Sequence, residues 1–200
     1  MPLTHSPSSD HENPLKTSVQ WNPSVLIATC GGIGFIRYAL GTWGTALGVA
    51  ISPLTGRASL FLAAQLSGGT EPFQKTGWFS PDRLIELGFE ATGVVLLNIL
   101  AIFICTYAIR FLQRGCDPGA IVLDETGSVL LGLLIVPPHL RSPTVLLAAF
   151  VIHRFFDIVK PFPCRQLESL PAGLGVMADD WAAATWMMGI LSLMHFFGWL

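Results

Sequence analysis

Two runs without a single charged side chain, residues 91–109 and 181–200, narrow most sharply what this 200-residue chain can fold into. They are 19 and 20 residues long, and a helix needs about 20 apolar residues to cross the hydrocarbon of a bilayer. A helix on the surface of a soluble domain carries a charged or polar face, and these runs have no charge to supply one. Trp181, Trp186 and Trp199 stand where interfacial anchors belong. Composition agrees, since only 12% of the chain is charged and 52% is hydrophobic, against about a quarter charged in soluble domains. Such a chain is too apolar to be disordered. Its net charge of −2 offers no basic surface for nucleic acid.

Further crossings are less uniform. Residues 118–136 are long enough to span but carry Asp124 and Glu125, while residues 143–159 are hydrocarbon through Ile152 and then ionic at Arg154 and Asp157. Asp117-Pro118 and Ser142-Pro143 each place a capping side chain before a proline suited to the first helical position. Lys160-Pro161 marks a helix end. Residues 42–66 hold Pro53, Gly56 and Arg57, so one crossing over about 42–56 is expected, with the remainder re-entrant or interfacial. Residues 67–90 read as a polar extramembrane loop. Residues 1–22 lack a compact apolar stretch behind a basic start and are expected to be a disordered tail. The expectation is therefore an all-α polytopic bundle of about 4–5 spans, some broken or re-entrant near a site, with residues 23–200 forming one membrane-embedded domain.

Threading five crossings brings Arg37, Arg154 and Lys160 to one face together with four other cations, against four cations on the other face. The excess marks the first face as cytoplasmic. Arg37 and the glycine-rich GTWGT, Asp117/Asp124/Glu125, Arg154/Asp157/Lys160 and Asp179/Asp180 all fall there. Ionisable groups at membrane depth are costly and by default mark a site. Carboxylates hold Mg²⁺, which retains waters and bridges to phosphate, and Arg and Lys neutralise phosphate oxygens; phosphomonoester hydrolysis needs those parts. Each residue has a plainer alternative. Asp117 and Asp180 can cap helices, Asp157 and Lys160 can form a helical ion pair, Arg37 can mark the membrane border, and His153 reads as a packed histidine. Asp124 and Glu125 sit inside a helix, where no cap is needed. The four cysteines read as small apolar fillers. The G-x-G-x-x-A at 173–178 follows no strand, and no G-x-S-x-G is present. A transporter with a charged path is the rival class, but no internal repeat is visible.

Four ordered blocks, GTWGT at 41–45, DPGAIVLDETG at 117–127, RFFDIVKPFP at 154–163 and GLGVMADD at 173–180, resemble those of the phosphatidylglycerophosphatase A family of bacterial membrane enzymes, from about residue 27 to 199. The resemblance implies Mg²⁺-dependent removal of the terminal phosphate of phosphatidylglycerophosphate, a phospholipid substrate lying in the bacterial inner membrane, by a multi-pass protein whose active site faces the cytoplasm. By position it assigns Asp124, Glu125, Asp157, Asp179 and Asp180 to catalysis and metal binding, and Arg154 and Lys160 to the substrate phosphate. Arg37 and Thr45 are further phosphate-binding candidates; Thr45 keeps a hydroxyl where the family usually has Ser. Broader action on phosphatidic or lysophosphatidic acid is the alternative, because their monoesters are similar. Oligomeric state is not legible.

Overall fold

In the computed structural model the described residues are 22–36, 39–67, 81–112 and 119–199. The expected tail except Asn22, Arg37, Asp117-Pro118, Cys116 and positions 68–80 of the expected loop lie outside them. The described residues are all-helical apart from turns: α1 (Pro23–Ala28), α2 (Leu40–Ser67), α3 (Pro81–Leu112), α4 (Leu123–Leu133), α5 (Pro143–Val159), α6 (Cys164–Leu167) and α7 (Gly173–Phe196). Two of them, over Gly41–Leu66 and Arg83–Leu112, are long and apolar enough to cross a membrane.

The architecture is a short helix enclosed by long ones. α4 has only 11 residues, about 16 Å of helix, and packs against α2, α3, α5 and α7. Nine of its residues are buried. The other long helices are apolar on their outer faces as well, as at Phe61, Leu66, Leu96, Leu100 and Phe103, which is the pattern of helices whose outer solvent is lipid. Beneath α4's first turn, Ala101, Cys105 and Ala108 of α3 meet Val176 and Met177 of α7. At its far end, Val129 and Leu133 meet Val145, Ala149, Met187 and Leu191. Cys105 and Cys164 are buried and unbridged, as fillers.

Small residues let α2 and α4 approach. A Cβ on Gly48 would lie 2.2 Å from Val129 Cγ1 and 2.7 Å from the Thr126 carbonyl oxygen, a close helix contact of the kind small residues permit in membranes. Gly48→Val is expected to cost about 1–3 kcal/mol by overpacking, read as a lower melting temperature of the detergent-solubilised protein. An unchanged melting temperature would mean that this contact does not hold the helices together.

Several boundaries differ from the sequence expectation, each for a tertiary reason. α2 runs through Pro53 instead of ending near it. Proline cannot donate to the carbonyl four residues back, and Ser52 Oγ takes that place by donating to the Val49 oxygen at 2.9 Å. The expected start at Asp117-Pro118 moves to Leu123. Pro143–Val159 forms as expected, with Ser142 Oγ accepting from the Val145 amide and Lys160 ending the helix in a left-handed conformation. α7 begins at Gly173, eight residues before the expected span, so Asp179 and Asp180 lie inside a helix and cap nothing.

Residues 81–90, expected in a polar loop, belong to α3. Their charges satisfy one another inside the protein. Arg83 pairs with Glu86 at 3.0 Å, and Arg141 grips both oxygens of Glu90 at 2.7 and 2.9 Å. Both arginines also bind the end of α4: Arg83 donates to the Leu134 oxygen at 2.7 Å, and Arg141 to those of Leu133 and Val136 at 3.0 and 3.1 Å. The last carbonyls of a helix have no partner within it, and in hydrocarbon each unpaired one is expensive.

Candidate active site

With its far end held in this way, α4 presents Asp124 and Glu125 not in a helix interior, as expected, but in its first turn, because the helix starts only at Leu123; there the helix dipole favours negative charge. The Glu125 amide donates to Asp124 Oδ1 at 3.0 Å. Asp179 and Asp180 come from the second turn of α7, and Arg154, Asp157 and Lys160 from the last two turns and cap of α5. These seven residues line one cavity of about 130 Å³ with Gly41, Gly119, Ile121 and Val176. Three helices distant in sequence thus deliver the expected carboxylates and two of the expected cations to one place.

The charges within the cavity divide in a specific way. Arg154 Nη1 contacts Asp157 Oδ2 closely and lies 3.9 Å from Glu125 Oε1. Lys160 Nζ donates to Asp179 Oδ2 at 2.7 Å and lies 3.3 Å from Glu168 Oε2. Burial alone would depress the lysine, but the hydrogen bond and charge of Asp179, with Glu168, outweigh it and raise its pKa above the ordinary value. It stays an ammonium. Asp157 and Asp179 are thus each held closely by a cation, Glu125 only loosely through Oε1, and Asp124, Glu125 and Asp180 offer oxygens all within 4.8 Å of one another. Asp124 and Asp180 are buried, and Glu125 Oε2 is buried with no hydrogen-bond partner. Three such carboxylates repel in a low dielectric. The donor set, all oxygen and surplus in negative charge, fits a hard divalent cation.

The remaining expected residues lie elsewhere. Thr45 is fully buried and its hydroxyl donates to the Gly41 oxygen one turn back at 3.2 Å; it does not line the cavity. The GTWGT block is helical, and its glycines make room: a Cβ on Gly41 would stand 2.1 Å from Glu125 Oε1 and 2.7 Å from Arg154 Nη1. Gly173 likewise packs against α3, and its amide donates to Thr106 Oγ1 at 3.1 Å. His153 is buried, with Nε2 2.9 Å from Ser128 Oγ, tying α5 to α4.

Sequence reasoning missed Glu168, the second partner of Lys160, and Asn98, which donates to the Gly127 oxygen at 3.2 Å and accepts from Trp181 Nε1 at 2.8 Å. Asn98 lies within an otherwise apolar run, which was the signal available for it.

A family model for phosphatidylglycerophosphatase A matches residues 26–195. The chain belongs to the phosphatidylglycerophosphatase A family. A phosphatidylglycerophosphatase A of Haemophilus influenzae is 33% identical over 86% of this chain and 88% of its own length. One from Escherichia coli is 31% identical over 60% of this chain and 66% of its own length. A Bacteroides thetaiotaomicron protein with the provisional name phosphatidylinositol-3-phosphatase is 33% identical over 84% of this chain and 91% of its own length. No solved structure matches the chain. Family membership and the two long apolar helices together make this a membrane protein.

Proposed function

We propose that the protein hydrolyses the terminal phosphate of phosphatidylglycerophosphate to give phosphatidylglycerol and inorganic phosphate, using Mg²⁺. It would act as a multi-pass protein of about 4–5 spans in the bacterial inner membrane, with its site at the cytoplasmic face. The observation that carries this reading is the convergence of Asp124, Glu125 and Asp180 beside two cations already braced by their own carboxylates. Family membership supplies the reaction class. An ion path is disfavoured, because these charges gather around one cavity instead of following a route through the bundle.

In this reading Asp124, Glu125 and Asp180 hold the ion. When bound, Mg²⁺ supplies charge neutralisation and Lewis-acid polarisation of the phosphoryl group. Asp157 and Asp179, expected as further ligands, act instead as positioning residues for Arg154 and Lys160. Arg154 has its Nη1 engaged while its buried Nε has no partner, leaving a donor for a phosphate oxygen. Lys160, held protonated, is a point charge for a second one. Arg37 remains a candidate from the sequence alone.

The test is phosphate release from phosphatidylglycerophosphate in detergent micelles, with Mg²⁺ and with EDTA. Release that EDTA abolishes and Mg²⁺ restores is the expected result. Undiminished release in EDTA would remove the metal, and no release from folded, monodisperse protein would remove the activity. The Bacteroides relative carries a different lipid phosphate in its name, which favours broader action as the second reading; phosphatidic acid and a phosphoinositide belong in the same assay.

A further inference from the structure

A second and larger cavity shares no lining residue with the polar one but is lined by its neighbours in sequence. It has a volume of about 760 Å³, within the roughly 300–1,000 Å³ typical of small-molecule sites, and is lined by Phe162, Leu170, Trp181, Ala182, Trp186 and Gly189 among others. Its residues interleave with those of the charged site. Phe162 lies two positions after Lys160, Ala178 precedes Asp179 and Trp181 follows Asp180, and Phe162, Ala178 and Trp181 all line it. The lining follows one face of α7 from Leu174 through Ala178, Ala182, Thr185 and Trp186 to Gly189, about 22 Å of helix.

The walls are fixed. Trp186 stacks on Phe156 with centroids 5.6 Å apart and donates from Nε1 to the Phe162 oxygen at 3.2 Å. The segment carrying Leu167 and Leu170 lines the opposite side, while Phe162, Leu170 and Trp186 stay exposed, so this is an open slot between two elements. A lipid whose phosphate reaches Arg154 and Lys160 must lead its hydrocarbon away from five carboxylates, and this apolar slot is lined by residues within two positions of Lys160, Asp179 and Asp180.

Resting on the lipid phosphatase reading above, we propose that the α6–α7 slot binds an acyl chain of the substrate and sets a preference for long chains. Gly189 provides the probe. A Cβ there meets nothing within 4 Å, and leucine is the better helix former, so Gly189→Leu fills the slot without disturbing the core. The expected result is a fall of about tenfold or more in the long-chain to short-chain ratio of kcat/KM, measured on dioleoyl and dihexanoyl phosphatidylglycerophosphate and carried by KM. Gly93→Leu, at another open position in the cavity between α2 and α3, should leave the ratio unchanged. An unaltered ratio in Gly189→Leu, or an equal change in both variants, would overturn the assignment.

A binding measurement separates this inference from the activity. Phosphatidic acid carrying a diazirine at the end of an acyl chain should label peptides containing Phe162, Leu170 or Trp186, and Gly189→Leu should suppress the labelling. Labelling elsewhere would overturn the slot even in an active enzyme. Slot labelling in a protein inactive on every lipid phosphate would uphold the slot and sink the phosphatase reading. If Gly189→Leu instead halves the particle mass of the purified protein, the slot holds a second copy and the proposal is wrong.

Discussion

Asp124→Asn should lower turnover of phosphatidylglycerophosphate by about 10²–10³-fold or more, the scale of removing a preorganised electrostatic contact, without lowering the melting temperature of the metal-free protein. The second half of this expectation follows from geometry. Asp124, Glu125 and Asp180 place oxygens within 4.8 Å of one another, and in the absence of a cation this is repulsive, so an isosteric neutral amide relieves strain. The same variant should lose a metal effect that the wild type possesses. An ion that binds only the folded state stabilises it by about 2.7 kcal/mol at a hundredfold excess over its dissociation constant. Thermal unfolding in detergent with and without Mg²⁺ reads that difference directly. Equal metal stabilisation of wild type and Asp124→Asn would sink the metal site, whatever happens to turnover. Asp180→Asn should behave alike, because the three oxygens form one set.

A second large effect concerns the opposite end of α4. Arg141→Ala is expected to destabilise the protein by about 3–5 kcal/mol, the cost of leaving one member of a buried ion pair alone. Its guanidinium holds both oxygens of Glu90 and the carbonyls of Ser52, Leu133 and Val136, and Glu90 is 4% exposed. Truncation thus leaves the buried Glu90 carboxylate with only the Thr55 hydroxyl at 3.0 Å and takes a donor from three carbonyls at once, although those of Ser52 and Leu133 keep another. Denaturation of the solubilised protein measures the loss, and the double variant Arg141→Met with Glu90→Leu should recover part of it, since removing both members leaves no buried charge without its partner. A loss below about 1 kcal/mol in Arg141→Ala would mean that the pair is solvated, contrary to its burial.

The site was more legible in the sequence than the fold around it. Charges inside apolar runs are rare enough to be informative one at a time, and for that reason Asp124, Glu125, Asp157, Lys160, Asp179 and Asp180 stand out in the sequence without any knowledge of their neighbours in space. Ser142-Pro143 and Lys160-Pro161 carry their structural consequence locally, and α5 starts and stops on them. Pro53 does not, because the hydroxyl that takes up its orphaned carbonyl belongs to Ser52, and serine is common in segments where helices do break. Gly173 and Gly175 stand out in the sequence only as a G-x-G-x-x-A without a strand, and a Cβ on either would strike a neighbouring backbone oxygen at 2.2–2.3 Å, so they are packing residues inside a helix. Arg83, Glu86 and Glu90 counted as loop polarity in a linear reading. Only their partners, one of them 51 residues away, reveal that they are interior.

That separation has a consequence for how the chain can change over generations. Glu90 and Arg141 lie on different segments but are of use only together, so a lineage that replaces one inherits a defect until it replaces the other. Among homologous chains the two positions should accordingly change in step.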